Sequence, residues 1–168
     1  MNNAILVDQP DLEGVGNCVG QVNFTILNRF EDVRLLAIAI GAIAKLNFND
    51  EASARIELAL AEALNNVVEH AYAGVAEGAA EITVHYCLYA DKSLLRVIDR
   101  GATMPPDCIA RLCGPACEIS EEDEPGWPPV EELPEGGFGL GLIRNCMSLV
   151  GYGASEGCNC LVMVKHFA

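Results

Sequence analysis

Seven of the eight prolines fall between residues 102 and 136, and this one segment decides how the rest of the chain can be arranged. A proline inside a helix or a central strand removes a backbone donor, so no long regular element runs through it. The segment also carries eight acidic residues from Glu118 to Glu135, the only tryptophan, Trp127, and no lysine or arginine after Arg111. It reads as a long loop with one short helix over 106–112. The patterned stretches on either side must therefore come together around a shared core.

Before the loop, residues 1–18 have little periodicity and read as a tail or an added edge element. Residues 19–27 alternate as a strand does, and 31–46 have the Leu, Ile and Ala density of a mostly buried helix. After a polar break at 47–51, a second helix is predicted from Asp50 or Ser53 through Tyr72, stopped by Gly74. Two strand-like runs follow, 81–89 and 94–99, joined by a turn at 90–93. Beyond the loop, a glycine run at 136–141 leads into a helix over 142–150, and the chain closes on a strand over 160–167. Helices against a mixed, largely antiparallel sheet over residues 19–168 predict a two-layer α+β sandwich.

Composition narrows the possible functions. With 24 acidic and 10 basic residues the formal charge is −14, which argues against direct nucleic-acid binding, since affinity for a phosphate backbone comes mainly from Lys and Arg. The longest apolar runs fall short of the roughly 20 residues a membrane helix needs, and residues 1–10 do not resemble a secretory signal. A cytoplasmic protein is expected. The eight cysteines form no pair of C-x-x-C motifs, and no histidine lies near Cys108, Cys113 and Cys117, so free thiols are expected.

Three segments carry the chemistry. In the second helix Glu62, Asn66 and His70 are spaced four apart and share one face, where burying a carboxylate and an amide is costly unless each finds a partner. A solvent-facing stripe that also includes Glu69 would explain the same spacing. Asp99 closes an apolar strand and is followed by Arg100 and Gly101, which delivers a carboxylate beside flexible backbone. Gly136, Gly137, Gly139 and Gly141 precede a helix, a placement that lets backbone N–H groups and the helix N-terminus hold an anion.

In this order the three segments resemble the motifs of the GHKL, or Bergerat-fold, ATPases. Glu62 through Tyr72 is similar to the N box, in the form E-x-x-x-N-x-x-x-H-A-Y favoured by anti-sigma-factor serine kinases. Asp99-Arg100-Gly101 resembles the G1 box, and Gly137-Phe138-Gly139-Leu140-Gly141-Leu142 resembles the G2 box. The likeness extends over residues 19–167. It implies ATP and Mg²⁺ as cofactors, with Asn66 holding the metal, Glu62 as general base and Asp99 accepting a hydrogen bond from the adenine amino group. It further implies that His70, Gly101, Thr103 and residues 137–142 bind nucleotide and that 102–136 forms the ATP lid.

The family resemblance also implies a partner-switching role, in which the kinase binds a sigma factor and phosphorylates a serine of an anti-sigma-factor antagonist. Arg34 is placed similarly to a basic residue that the family turns towards its protein partners. A homodimer through the first helix and sheet face is compatible with this reading. Two features depart from the family pattern: Thr103 stands where a second G1 glycine is usual, and no Lys or Arg occurs between Leu112 and Ile143. Charge neutralisation then falls on Mg²⁺, backbone N–H groups and Arg100 or Arg144. Two other functions share the pocket: a non-catalytic switch that sequesters a partner when nucleotide binds, and the ATPase domain of a sensor histidine kinase. The second would need a phosphoacceptor helix, for which the first 18 residues leave no room.

Overall fold

The computed structural model describes residues 18–114 and 138–166. Trp127, Cys117, Gly136, Gly137, residues 1–17 and the greater part of the expected lid lie outside them. Five strands, β1 (Gly20–Leu27), β2 (Glu81–Leu88), β3 (Lys92–Asp99), β4 (Leu149–Ser155) and β5 (Cys158–His166), form one sheet in the order β1-β2-β3-β5-β4. Helices α1 (Phe30–Ala44), α2 (Asp50–Asn66), α3 (Pro106–Cys113) and α4 (Phe138–Cys146) complete the described chain.

The expectation of a mixed sheet is corrected, because every pairing among the described strands is antiparallel. The topology gives the reason. Between β1 and β2 the chain crosses the sheet twice, along α1 and then α2, so β2 returns against β1. Strands β3 and β4 run the same way but are not neighbours, since β5 lies between them.

Alternation along the strands sorts the two faces. Ile82, Val84, Tyr86, Leu95, Val97, Leu161 and Met163 join Leu36, Ile40, Ile56, Leu60 and Leu64 of the helices in one core. Cys87, Leu94 and Val164 lie in register with one another and, with Tyr89, make a small cluster of their own. Helix α2 starts where Asn49 caps it, its side chain accepting from the Ala52 N–H at 2.8 Å. Gly41 is needed where α1 meets α2, because a Cβ there would overlap the Glu57 side chain.

Several expected boundaries shift. The hairpin turn is only Ala90-Asp91, closed by the Tyr89 N–H on the Lys92 carbonyl at 2.8 Å. Helix α2 does not run evenly to Tyr72; it passes at Val67–Ala71 into a single π turn. The chain then leaves the helix and Gly74 adopts a φ of 81°. The helix expected over 142–150 instead occupies Phe138–Cys146, so Gly139 and Gly141 are helical. Their low helix propensity is offset by burial of Leu140 and Ile143. Strand β4 was not expected at all.

Candidate functional site

A cavity of about 430 Å³ opens between the end of α2, the end of β3, helix α3 and the first turn of α4. Asp99 is buried at its base, 6% exposed. Its Oδ1 accepts from the Gly101 N–H and from Asn159 Nδ2, both at 2.8 Å. No hydrogen bond to Oδ2 is found among the described residues, which leaves that oxygen as the acceptor available to a ligand in the cavity. Asn159 faces Asp99 in the β3–β5 register, and its amide also donates to the carbonyls of Gly101 and Ala102 at 3.2 and 3.3 Å. One buried side chain thereby orients the carboxylate and ties down the turn after β3.

The π turn sets the opposite wall. It aims the Ala71 carbonyl at the Ala102 N–H, 2.7 Å away, and leaves no room for a Cβ on Gly101. Gly101 is not among the residues that line the cavity, and this seam alone is enough to require glycine there. Tyr72 braces the same junction, donating to the Glu81 carbonyl at 2.7 Å and accepting from the Arg100 N–H at 3.0 Å. Burial pushes the Tyr72 phenol up, the Arg100 hydrogen bond opposes this, and the charge of Asp99 reinforces it.

Asn66 and His70 both line the cavity, as do Thr103, Gly139 and Leu140. Asn66 Nδ2 is buried without a hydrogen-bond partner. An amide left unspent on a cavity wall suits a ligand, and after a side-chain flip it offers an oxygen to a hard cation such as Mg²⁺. Glu62 stands one turn earlier, and a Cβ on Gly139 would come within 2.8 Å of its Oε2 and 3.7 Å of Asn66 Nδ2. The carboxylate, the amide and the start of α4 are thus packed together, on the one helix face that the i, i+4 spacing predicts, although Glu62 itself is not among the residues lining the cavity.

Other expected residues fall elsewhere. Gly141 and Leu142 are in α4 but do not line the cavity, Phe138 begins that helix, and Gly137 lies outside the described residues. Arg34 is exposed on α1, beside a separate groove formed with α2 by Phe30, Val33, Ala37 and Leu58.

Sequence reasoning missed Asn159, Tyr152, Met104 and Arg111 as contributors to the site. Asn159 carried only the signal of a polar residue near a glycine turn. Tyr152 sits on the unexpected strand β4, and its hydroxyl accepts from the Met104 N–H at 3.0 Å, which fixes Met104 on the cavity wall. Burial pushes the Tyr152 phenol up, the Met104 bond opposes this, and Asp99 raises it further. Arg111 lines the cavity from α3, and the sequence marks it only as the last basic residue within the 102–136 segment.

The seven described cysteines are free. Among the described residues no helix is long and apolar enough to cross a membrane.

Known proteins match most of this chain. Residues 27–165 match the family model of the histidine kinase-like ATPase domain. A serine-protein kinase RsbW of Listeria monocytogenes is 34% identical over 137 residues, 81% of this chain and 80% of that protein. A serine-protein kinase RsbW of Bacillus cereus is 30% identical over 147 residues, 87% of this chain and 84% of that protein. A crystal structure of the RsbU and RsbW domains of a Mycobacterium tuberculosis protein aligns with a TM-score of 0.56 at 17% identity, over 87% of this chain and 32% of that longer one, a likeness of fold. The chain accordingly belongs to the histidine kinase-like ATPase domain family, which implies that it binds a nucleotide.

Proposed function

We propose that this protein is an ATP-dependent protein serine kinase and anti-sigma factor, acting in the cytoplasm, which phosphorylates a serine of an anti-sigma-factor antagonist and binds a sigma factor in alternation. The observation that carries the reading is the packing of the Glu62 carboxylate and the Asn66 amide against Gly139 in the first turn of α4. A helix N-terminus favours phosphate, an amide oxygen suits Mg²⁺, and a carboxylate accepts the proton of a serine hydroxyl. The RsbW kinases that match most of the chain support the same assignment.

In this reading Asp99 Oδ2 accepts from the adenine amino group, and Thr103 and His70 border the nucleotide. Asn66 holds the Mg²⁺, which when bound neutralises charge on the phosphate oxygens. The partner's serine oxygen attacks the γ-phosphorus while Glu62 takes its proton, and the bond to the ADP oxygen breaks. Arg34, exposed beside the α1–α2 groove, contacts the protein partner.

Labelled ATP and a candidate antagonist protein test the proposal. The wild type is expected to form phosphoserine. Glu62→Gln should still bind nucleotide but transfer phosphate about 10²- to 10⁴-fold more slowly. Arg34→Ala should bind ATP normally and capture the partner weakly. Transfer by Glu62→Gln at the wild-type rate would remove Glu62 from the chemistry, and a wild type that binds ATP but makes no phosphoserine would leave a nucleotide-dependent sequestering switch.

A further inference from the structure

The loop sequence from Leu112 to Ile143 brings no lysine or arginine to a nucleotide, and the chain as a whole carries a formal charge of −14. Arg111 stands out against this background. With Cys108 it forms the face of α3 that lines the cavity, next to Pro105 at the helix start, and it is the only lysine or arginine among the lining residues described. It takes part in none of the described ion pairs, which join Arg29 to Asp32, Lys45 to Asp50 and Arg55 to Glu51. Its Nη2 donates instead to Cys108 Sγ at 3.2 Å, and a thiol is a weak acceptor. Little is lost when the guanidinium leaves it for an anion.

The backbone beneath this side chain is held. Arg144 Nη1 of α4 donates to the Arg111 carbonyl at 3.3 Å, so the last turn of α3 is fastened to the helix whose first turn meets Glu62 and Asn66. Asp99 occupies the β3 end of the cavity, where its free oxygen would repel phosphate. The anionic part of a ligand is thereby directed to the α4 side, where Arg111 is anchored.

We propose that Arg111 supplies the protein's cation to the phosphate chain of the bound nucleotide, since the lid sequence beyond α3 carries no basic residue. This inference rests on the nucleotide reading of the cavity. A guanidinium can bind phosphate oxygens through two parallel N–H donors, so lysine would replace it only in part.

Titration calorimetry of the full chain with Mg-ATP, ADP and adenosine, on the wild type, Arg111→Gln and Arg111→Lys, tests it. Arg111→Gln should bind Mg-ATP about tenfold more weakly, the size of one charge-assisted hydrogen bond at a partly solvated site, and bind adenosine as the wild type does. Arg111→Lys should recover part of the loss. Equal ATP affinity in wild type and Arg111→Gln would overturn the assignment, and so would an equal loss for ATP and adenosine, which would mark a contact to the base or a change in the fold. If the wild type binds none of the three ligands, the nucleotide reading fails first and this inference falls with it.

Discussion

Replacing Gly139 by alanine should separate stability from catalysis, and the structure gives the size of the disturbance. The added Cβ would lie 2.8 Å from Glu62 Oε2, whereas ordinary contact begins at 3.4 Å, so the carboxylate must retreat by about 0.6 Å. Only the end of a flexible side chain has to move, and the fold should tolerate that. An alanine in place of a helical glycine also contributes about 0.5–1 kcal/mol of stability. The general base, by contrast, would be held away from the serine it serves, and a misplacement approaching 1 Å costs on the order of 10²-fold in rate. Gly139→Ala is therefore expected to unfold at the same or higher urea concentration while phosphotransfer falls about 10- to 100-fold. Two controls calibrate the argument. Gly141→Ala meets nothing within 4 Å and should stabilise, whereas Gly101→Ala collides with the Ala71 carbonyl and should destabilise by roughly 1–3 kcal/mol. Wild-type transfer rates in Gly139→Ala would refute the placement of Glu62 beside the reacting groups.

Two further outcomes are expected. Asn159→Ala should lower stability by about 1–3 kcal/mol even without nucleotide, because it takes a buried donor from Asp99 and from two carbonyls; an unchanged urea midpoint would contradict this. Stability should also fall as pH rises above about 9. Burial pushes the Cys87, Cys146 and Cys160 thiols above their ordinary 9.0 and the Tyr72, Tyr86 and Tyr152 phenols above 10.0. The unfolded chain releases these protons while the folded chain retains them, so the stabilisation is complete below the unfolded values and lost above them. Lys165, pushed down by burial, acts in the opposite sense but alone. Urea midpoints under reducing conditions that hold steady between about pH 8 and pH 10 would count against this balance.

Local patterns made much of this molecule legible, and pairings distant in sequence hid the rest. The polar break at 47–51 before an apolar-periodic run announced α2, and the spacing of Glu62, Asn66 and His70 placed them on one face, as the cavity bears out for Asn66 and His70. The glycines of 136–141 misled because their propensity opposes a helix, while burial of Leu140 and Ile143 favours one. Strand β4 was missed for a related reason: Gly151 and Gly153 weaken its alternation, and its order depends on pairing with β5. The clamp between Asp99 and Asn159 joins residues 60 apart, and no local rule reveals such a pair.

The seam between the π turn and the end of β3 has an implication for how freely this sequence can drift. The bond from the Ala102 N–H to the Ala71 carbonyl uses main-chain atoms alone. It asks of position 102 only an amide hydrogen, which every residue but proline carries, so the side chain there answers to the cavity that Ala102 lines and not to this bond. Position 101 has no such latitude, since any Cβ would meet the carbonyl of Ala71. The seam thus leaves the side chain of one of the two adjoining letters unconstrained and all but fixes the other, although the same contact governs both.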